Sequence, residues 1–140
     1  MSTLPEFRRH LTEALVRRGL NVRTWASGGR HSLNLLELTT APKTTVLYVK
    51  EFNVPGKAGF WVLTRNQIDR PEKAAPRWFA VLLLRNVAAS YVLIGAQVRH
   101  RIVDGSFELS RDGDFKVNEA LDLKPAQAFG SLGELLDRTL

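Results

Sequence analysis

The sequence predicts an α/β fold in which an N-terminal helix precedes a mixed central β-sheet flanked by further helices. Three observations carry that prediction: an amphipathic helical stripe at the start of the chain, three consecutive extended segments after it, and two near-continuous apolar runs in the middle. At 140 residues the chain has the size of one ordinary domain, large enough to bury a core without cross-links. We expect a single domain over residues 1–140 that ends in an acidic segment at 104–140.

Pro5 suits the first turn of a helix, where an N–H would have no helical partner. Phe7, Leu11, Ala14 and Leu15 then recur at helical spacing up to Gly19, a natural stop. The opposite face carries Arg8, Arg9, Arg17 and Arg18 with Glu6 and Glu13 interspersed, so the helix is amphipathic and cationic. Residues 21–26 alternate Val22 and Thr24 against Arg23 and Trp25; Ser27-Gly28-Gly29 reads as a turn, and residues 33–38 supply a second extended segment. Ala41-Pro42-Lys43 breaks it. Residues 44–52 form the third strand, with Leu47 and Val49 on one face and Tyr48, Lys50 and Phe52 on the other. Three strands in a row imply hairpin pairing.

Residues 53–59, with Pro55, Gly56 and Gly59, read as a flexible connection, and residues 60–70 as a strand running into a turn or short helix. Residues 78–84 are almost continuously apolar, as in a strand covered on both faces, and residues 91–98 repeat that signal after a polar turn at Arg85-Asn86. These two runs are expected at the sheet centre, with Leu47, Val49, Val81, Leu83, Val92 and Ile94 in the core. Asp112-Gly113 is a hairpin turn between residues 107–109 and 115–117. Ser131 and Glu134 fit the Ser-x-x-Glu capping box of a short closing helix whose apolar side is Leu132, Leu135, Leu136 and Leu140.

Composition narrows the chemistry. With no cysteine there are no disulfides, thiolate metal sites or thiol nucleophiles, so a metal would need oxygen or histidine ligands. The first eighteen residues are too charged for a signal peptide, and the apolar runs fall far short of the roughly 20 residues of a membrane span, so a cytoplasmic protein without a membrane partner is expected. Charge is unevenly distributed: residues 1–103 hold 16 Lys and Arg against 6 Asp and Glu, while residues 104–140 hold 4 against 8. Net charges of +10 and −4 follow, and the basic excess favours a polyanionic partner, although a merely solvated surface would read the same way.

Common motifs are missing: no dinucleotide or Walker glycine loop, no nucleophile elbow and no close histidine pair, since His10, His31 and His100 fall in separate segments. Gly28-Gly29-Arg30 could offer backbone donors to a phosphate or simply turn the chain. Trp25, Trp61 and Trp78 could stack on exposed bases or fill the core.

The third strand carries more. A lysine sharing a face with its i−2 neighbour in Leu47-Tyr48-Val49-Lys50, after a helix and two strands, resembles the PD-(D/E)xK superfamily of restriction-endonuclease-like nucleases. The resemblance spans roughly residues 5–100 in element order, including the segment Phe60-Trp61-Val62-Leu63 and the paired apolar runs. In that family two acidic positions hold Mg²⁺ and the lysine helps activate water or steady the phosphate, because carboxylates bind a hard cation that offsets charge on the phosphodiester. The resemblance places Asn34 at the first acid, Tyr48 at the second and Lys50 at the lysine. Neither Asn34 nor Tyr48 supplies the negative charge that Mg²⁺ requires. Glu37 and Glu51 are near in sequence, but strand alternation points Glu37 away from Asn34 and Glu51 away from Lys50 unless a bulge intervenes. Glu13 on the first helix is a further candidate donor, since many members carry a glutamate there.

The resemblance therefore implies a nucleic-acid-binding protein, DNA in preference to RNA, on a catalytically degenerate domain from DNA repair, restriction or phage defence. Lys50 would meet the phosphate backbone, and Arg8, Arg9, Arg17, Arg18, Arg30, Lys57 and Arg65 would extend the basic track. Such a protein needs no cofactor. The alternatives are an active Mg²⁺-dependent nuclease drawing acids from Glu13, Glu37 and Glu51, and a non-enzymatic interaction or assembly module, homodimeric or larger, built on the acidic segment and the apolar strands.

Overall fold

The computed structural model describes residues 3–27, 30–40, 43–54, 56–75, 77–84 and 90–140, with the backbone alone at Ser27, Arg30, His31 and Thr40. The turns expected at Gly28-Gly29, Ala41-Pro42 and Arg85-Asn86 lie outside the described residues.

Helix α1 spans Leu4–Val16. The Thr3 hydroxyl accepts the Glu6 amide, Pro5 occupies the first turn, and Phe7, Leu11 and Leu15 form the buried stripe. Gly19 has φ +72°, a conformation that costs other residues strain, and reverses the chain into β1, Asn21–Ser27. β2 (Arg30–Thr40) pairs antiparallel with β1 and with β3 (Lys43–Phe52), the expected consecutive hairpins. β4 is Phe60–Leu63 and α2 is Arg65–Ala74, so the ambiguous stretch is both a strand and a helix.

β5, Trp78–Leu84, is buried at every position and runs parallel to β3. β6, Ser90–Ile94, is shorter than its apolar run suggests: the chain turns at Gly95 into α3, Gly95–Val103. Two local causes end the strand. A Cβ at Gly95 would lie 2.5 Å from Trp78 Nε1, so this tight approach to the tryptophan demands glycine, and Gln97 Oε1 accepts the Ile94 amide at 2.9 Å to start the helix. Ile94 is consequently 52% exposed and not part of the core, whereas Leu47, Val49, Val81, Leu83 and Val92 are buried.

The remaining elements are β7 (Glu108–Leu109), β8 (Phe115–Asn118), α4 (Glu119–Asp122), a 3-10 turn at Pro125–Gln127, β9 (Ala128–Phe129) and α5 (Leu132–Thr139). β7 and β8 form the Asp112-Gly113 hairpin, with Gly113 at φ +81°. Ser131 caps α5, and Glu134 reaches back to the Gly130 amide.

The main sheet has the order β1-β2-β3-β5-β6-β9, and a second sheet has the order β4-β8-β7. Strand alternation divides the core in two. Leu36, Leu38, Leu47, Val49, Val81 and Leu83 meet α1 and α5 on one face. Leu35, Val46, Tyr48, Ala80 and Leu82 meet α2, α3 and the small sheet on the other. All three tryptophans are buried in this second layer; Trp61 Nε1 donates to the Leu83 carbonyl and Trp78 Nε1 to Glu72. No described helix is long and apolar enough to cross a membrane.

The acidic segment folds back on the basic one. Asp137 pairs with Arg18, Asp122 with Arg101, and Glu119 accepts from the Tyr91 hydroxyl and the Gly59 amide.

Candidate nucleic-acid interface

β3 presents Val46, Tyr48 and Lys50 to the layer beneath α2 and the small sheet, because alternate residues of a strand share a face. The neighbouring strand is irregular where it matters. Thr24 pairs with Leu36 but Ala26 with His31, so two steps along β1 correspond to five along β2, and the additional β2 residues bulge around Ser32 to Asn34. That bulge frees the Asn34 side chain from strict alternation and lets it reach α2.

A closed set of hydrogen bonds results. Tyr48 Oη accepts the Thr64 amide at 3.0 Å and donates to Gln67 Oε1 at 2.7 Å. Gln67 Nε2 donates to Ser32 Oγ at 2.9 Å and, more weakly, to Asn34 Oδ1 at 3.4 Å. Asn34 Nδ2 in turn donates to the Val49 carbonyl at 2.8 Å. Each of these side chains is neutral. Tyr48 is fully buried, and that burial pushes its pKa up to about 12, so the phenol stays protonated at physiological pH.

Lys50 follows Tyr48 by one strand repeat and is half-buried. Burial lowers its pKa, and the carboxylates of Asp114 and Glu51 oppose that fall. Asp114 comes from the turn between β7 and β8: its Oδ1 accepts the Arg65 amide at 3.0 Å, which caps α2. Helix α2 has no acidic residue in its own first turn, so the anion its positive end favours is supplied from 49 positions away.

The other candidate residues are dispersed. Glu37 pairs with Val46 in a regular stretch of the β2–β3 ladder and so shares the Lys50 face, and the irregularity of β2 against β1 before Leu36 is what lets Asn34 reach the same layer. Glu37 lies four residues from the Lys50 position along the strand, roughly 13 Å at the usual rise, and is ion-paired to Arg23 across the β1–β2 ladder. Glu51 points to the opposite face and accepts the Leu4 amide. Glu13 lines a groove of about 380 Å³ between α1 and α5 with His10, Arg17 and Arg18.

The basic residues divide between the two faces. Arg8 donates to Thr24 Oγ1 at 2.6 Å, Arg18 pairs with Asp137, and Arg9 and Arg17 are exposed, all on the α1 side. Arg65 is on the Lys50 side, where its Nε donates to the Gly113 carbonyl at 3.1 Å and its guanidinium stacks 4.6 Å from the Phe115 ring centroid. Lys57 is exposed in the connection after β3. Arg30 begins β2, and its side chain lies outside the described residues.

These donors do not fit Mg²⁺. The carbonyl of Asn34 and the phenol of Tyr48 bring no charge and are engaged with Gln67, and among the described residues no three His, Asp or Glu side chains converge. Gln67 and Asp114 are the residues that sequence reasoning missed. A signal for the second existed in the uncapped, acid-free start of α2, which required an anion from elsewhere.

No protein-family model matches the chain, and no curated protein does. Among solved structures, the Holliday junction resolvase Hjc of the hyperthermophilic archaeon Archaeoglobus fulgidus is similar with a TM-score of 0.53 at 15% identity, over 89% of this chain and 93% of that one. At that identity the likeness concerns architecture alone. The chain thus has a restriction-endonuclease-like fold: an N-terminal helix and a mixed central sheet flanked by helices.

Proposed function

We propose that this chain binds nucleic acid through phosphate contacts on a nuclease-like fold whose metal-dependent cleavage chemistry is gone, as in a non-catalytic subunit or degenerate enzyme of DNA repair, restriction or phage defence. One observation carries the reading. Tyr48 and Asn34, which the resemblance to these nucleases aligns with the metal-binding acids, are joined through Gln67 in a neutral network, and the half-buried cation Lys50 follows Tyr48 on the same face of β3. A lysine still attracts phosphate after metal chemistry has been lost, because it acts as a point charge with three donors. The net charge of +6 adds long-range attraction to any polyanion. The similarity to a Holliday junction resolvase makes branched DNA a sensible ligand to test beside duplex and single-stranded DNA and RNA.

The test combines binding and cleavage. Fluorescence anisotropy with labelled four-way junction, duplex and single strands is expected to give micromolar or tighter binding at low salt, lost progressively as salt rises. Lys50→Ala is expected to weaken binding and reduce the slope of log affinity against log salt by about 0.9, the value of one phosphate contact. Incubation of the same DNA with Mg²⁺ or Mn²⁺ is expected to leave it intact. Metal-dependent cuts abolished by Lys50→Ala would replace this reading with an active nuclease, and no binding at low salt would favour an assembly module, checked by light scattering.

A further inference from the structure

We propose that Asp114 is a specificity-determining residue of the Lys50 surface: a fixed negative charge, held in place by the fold, that restrains how tightly Lys50 can hold a phosphodiester. The inference rests on the nucleic-acid reading above and adds a residue that opposes binding.

Asp114 is rigidly mounted. Its carbonyl accepts the Ser110 amide at 2.8 Å, its amide donates to Ser110 Oγ at 3.1 Å, and its Oδ1 accepts the Arg65 amide at 3.0 Å. The contacts of Arg65 with Gly113 and Phe115 fasten the hairpin to α2 from the other side. The preceding amide, that of Thr64, donates to Tyr48 Oη. Two consecutive amides therefore reach the Tyr48 phenol and the Asp114 carboxylate, which places that carboxylate at the start of α2, one residue along from the amide that meets the phenol on the Lys50 face of β3. Tyr48 and Lys50 both register its charge, in agreement with this placement.

A free helix N-terminus beside a lysine would be a good phosphate cradle. In this chain Asp114 already occupies that helix start, so a phosphate drawn to Lys50 meets a carboxylate. Backbones whose phosphates can approach Lys50 while staying clear of the hairpin are favoured, and indiscriminate binding of any polyanion is reduced.

Asp114→Asn isolates the charge, because the amide oxygen can still accept from Arg65. Binding of labelled duplex DNA at low salt is expected to tighten roughly three- to tenfold, with a gain that shrinks as salt screens it. The gain is expected to disappear in a Lys50→Ala background, and Asp114→Glu to behave like the native protein. No gain, or a gain that persists without Lys50, would overturn the proposal. The free protein gives a second measurement: by NMR, the titration midpoint of the Lys50 ammonium is expected to fall in Asp114→Asn. An unchanged midpoint sinks the proposal while leaving DNA binding through Lys50 intact. A lowered midpoint with DNA affinity unaffected by either variant sinks the nucleic-acid reading, and this proposal with it.

Discussion

On one face of β3, Leu47 and Val49 join Phe7, Leu11 and Leu15 of α1 in a layer of aliphatic and ring contacts; on the other, Tyr48 and Lys50 share the surface with Asn34, Gln67 and Asp114. Both faces exclude water from the strand, since Val46 through Val49 are all fully buried. What differs is how substitutions propagate. The first layer is non-directional, so loss depends on the volume removed and the cavity left behind. The second is directional, so loss depends on which partner is stranded without a hydrogen bond.

The largest effect is expected in the aliphatic layer. Leu83, fully buried between α1 and the sheet, is expected to cost about 2–5 kcal/mol on truncation to Ala, read as a lower urea midpoint with an unchanged slope. Ile94→Ala is the control. That side chain is 52% exposed, and a change of no more than about 0.5 kcal/mol is expected. Comparable losses at the two positions would mean that the boundary between β6 and α3 is misplaced.

The polar face is probed by Tyr48→Phe, which keeps the ring but strands the Thr64 amide and Gln67 Oε1, for an expected cost of about 1–3 kcal/mol. The same residue gives a pH signature. An unfolded tyrosine titrates near 10 while folded Tyr48 titrates at about 12, so the raised folded value contributes stability that is fully present below pH 10. It is lost as pH rises from 10 to 12, at about 1.4 kcal/mol per pH unit for a fully buried phenol. Tyr91, whose pKa is also raised to about 12, is present in both proteins, so the difference between native and Tyr48→Phe denaturation curves isolates Tyr48. Parallel curves across that window would show that the phenol is not held neutral by the fold.

The two faces were unequally legible in the sequence. The apolar layer follows from periodicity: Phe7, Leu11 and Leu15 at helical spacing, and an unbroken β5, define which surfaces must meet. Periodicity misjudged the run at 91–98 because a short apolar stretch fits a strand or a helix equally well, and the steric demand at Gly95 depends on Trp78, seventeen residues earlier. The polar face depends on contacts between segments distant in sequence. Gln67 is 35 residues from Ser32, Asp114 is 49 from Arg65, and β4 pairs with β8 across a separation that no local pattern encodes. Strand alternation separates Asn34 from Glu37 unless a bulge intervenes, and that bulge is not legible locally for the same reason: it is defined by the register of β2 with β1, not by any glycine or proline within residues 32–37.

The smallest expected effect is the most discriminating for the history of this surface. Asn34→Asp removes the donor to the Val49 carbonyl and sets two acceptors face to face, while a new carboxylate gains the Gln67 Nε2 donor in charged form. A net loss of about 1 kcal/mol is expected without divalent cation. If the alignment with metal-dependent nucleases is sound, the carboxylate stands where a cation once bound, and Tyr48→Glu would place a second one beside Lys50. Mg²⁺ or Mn²⁺ is then expected to stabilise the double variant by about 0.4 kcal/mol at a concentration equal to its dissociation constant and by more above it, and to leave the native protein unchanged. Thermal melts across a metal titration, with calorimetry at the higher concentrations, supply the comparison. Tight binding by the native chain would mean that acids other than those aligned here serve a working metal centre. A folded double variant indifferent to metal would mean that Asn34 and Tyr48 do not mark the ancestral acid positions, and the neutral network would then be read as a structural tie between β2, β3 and α2.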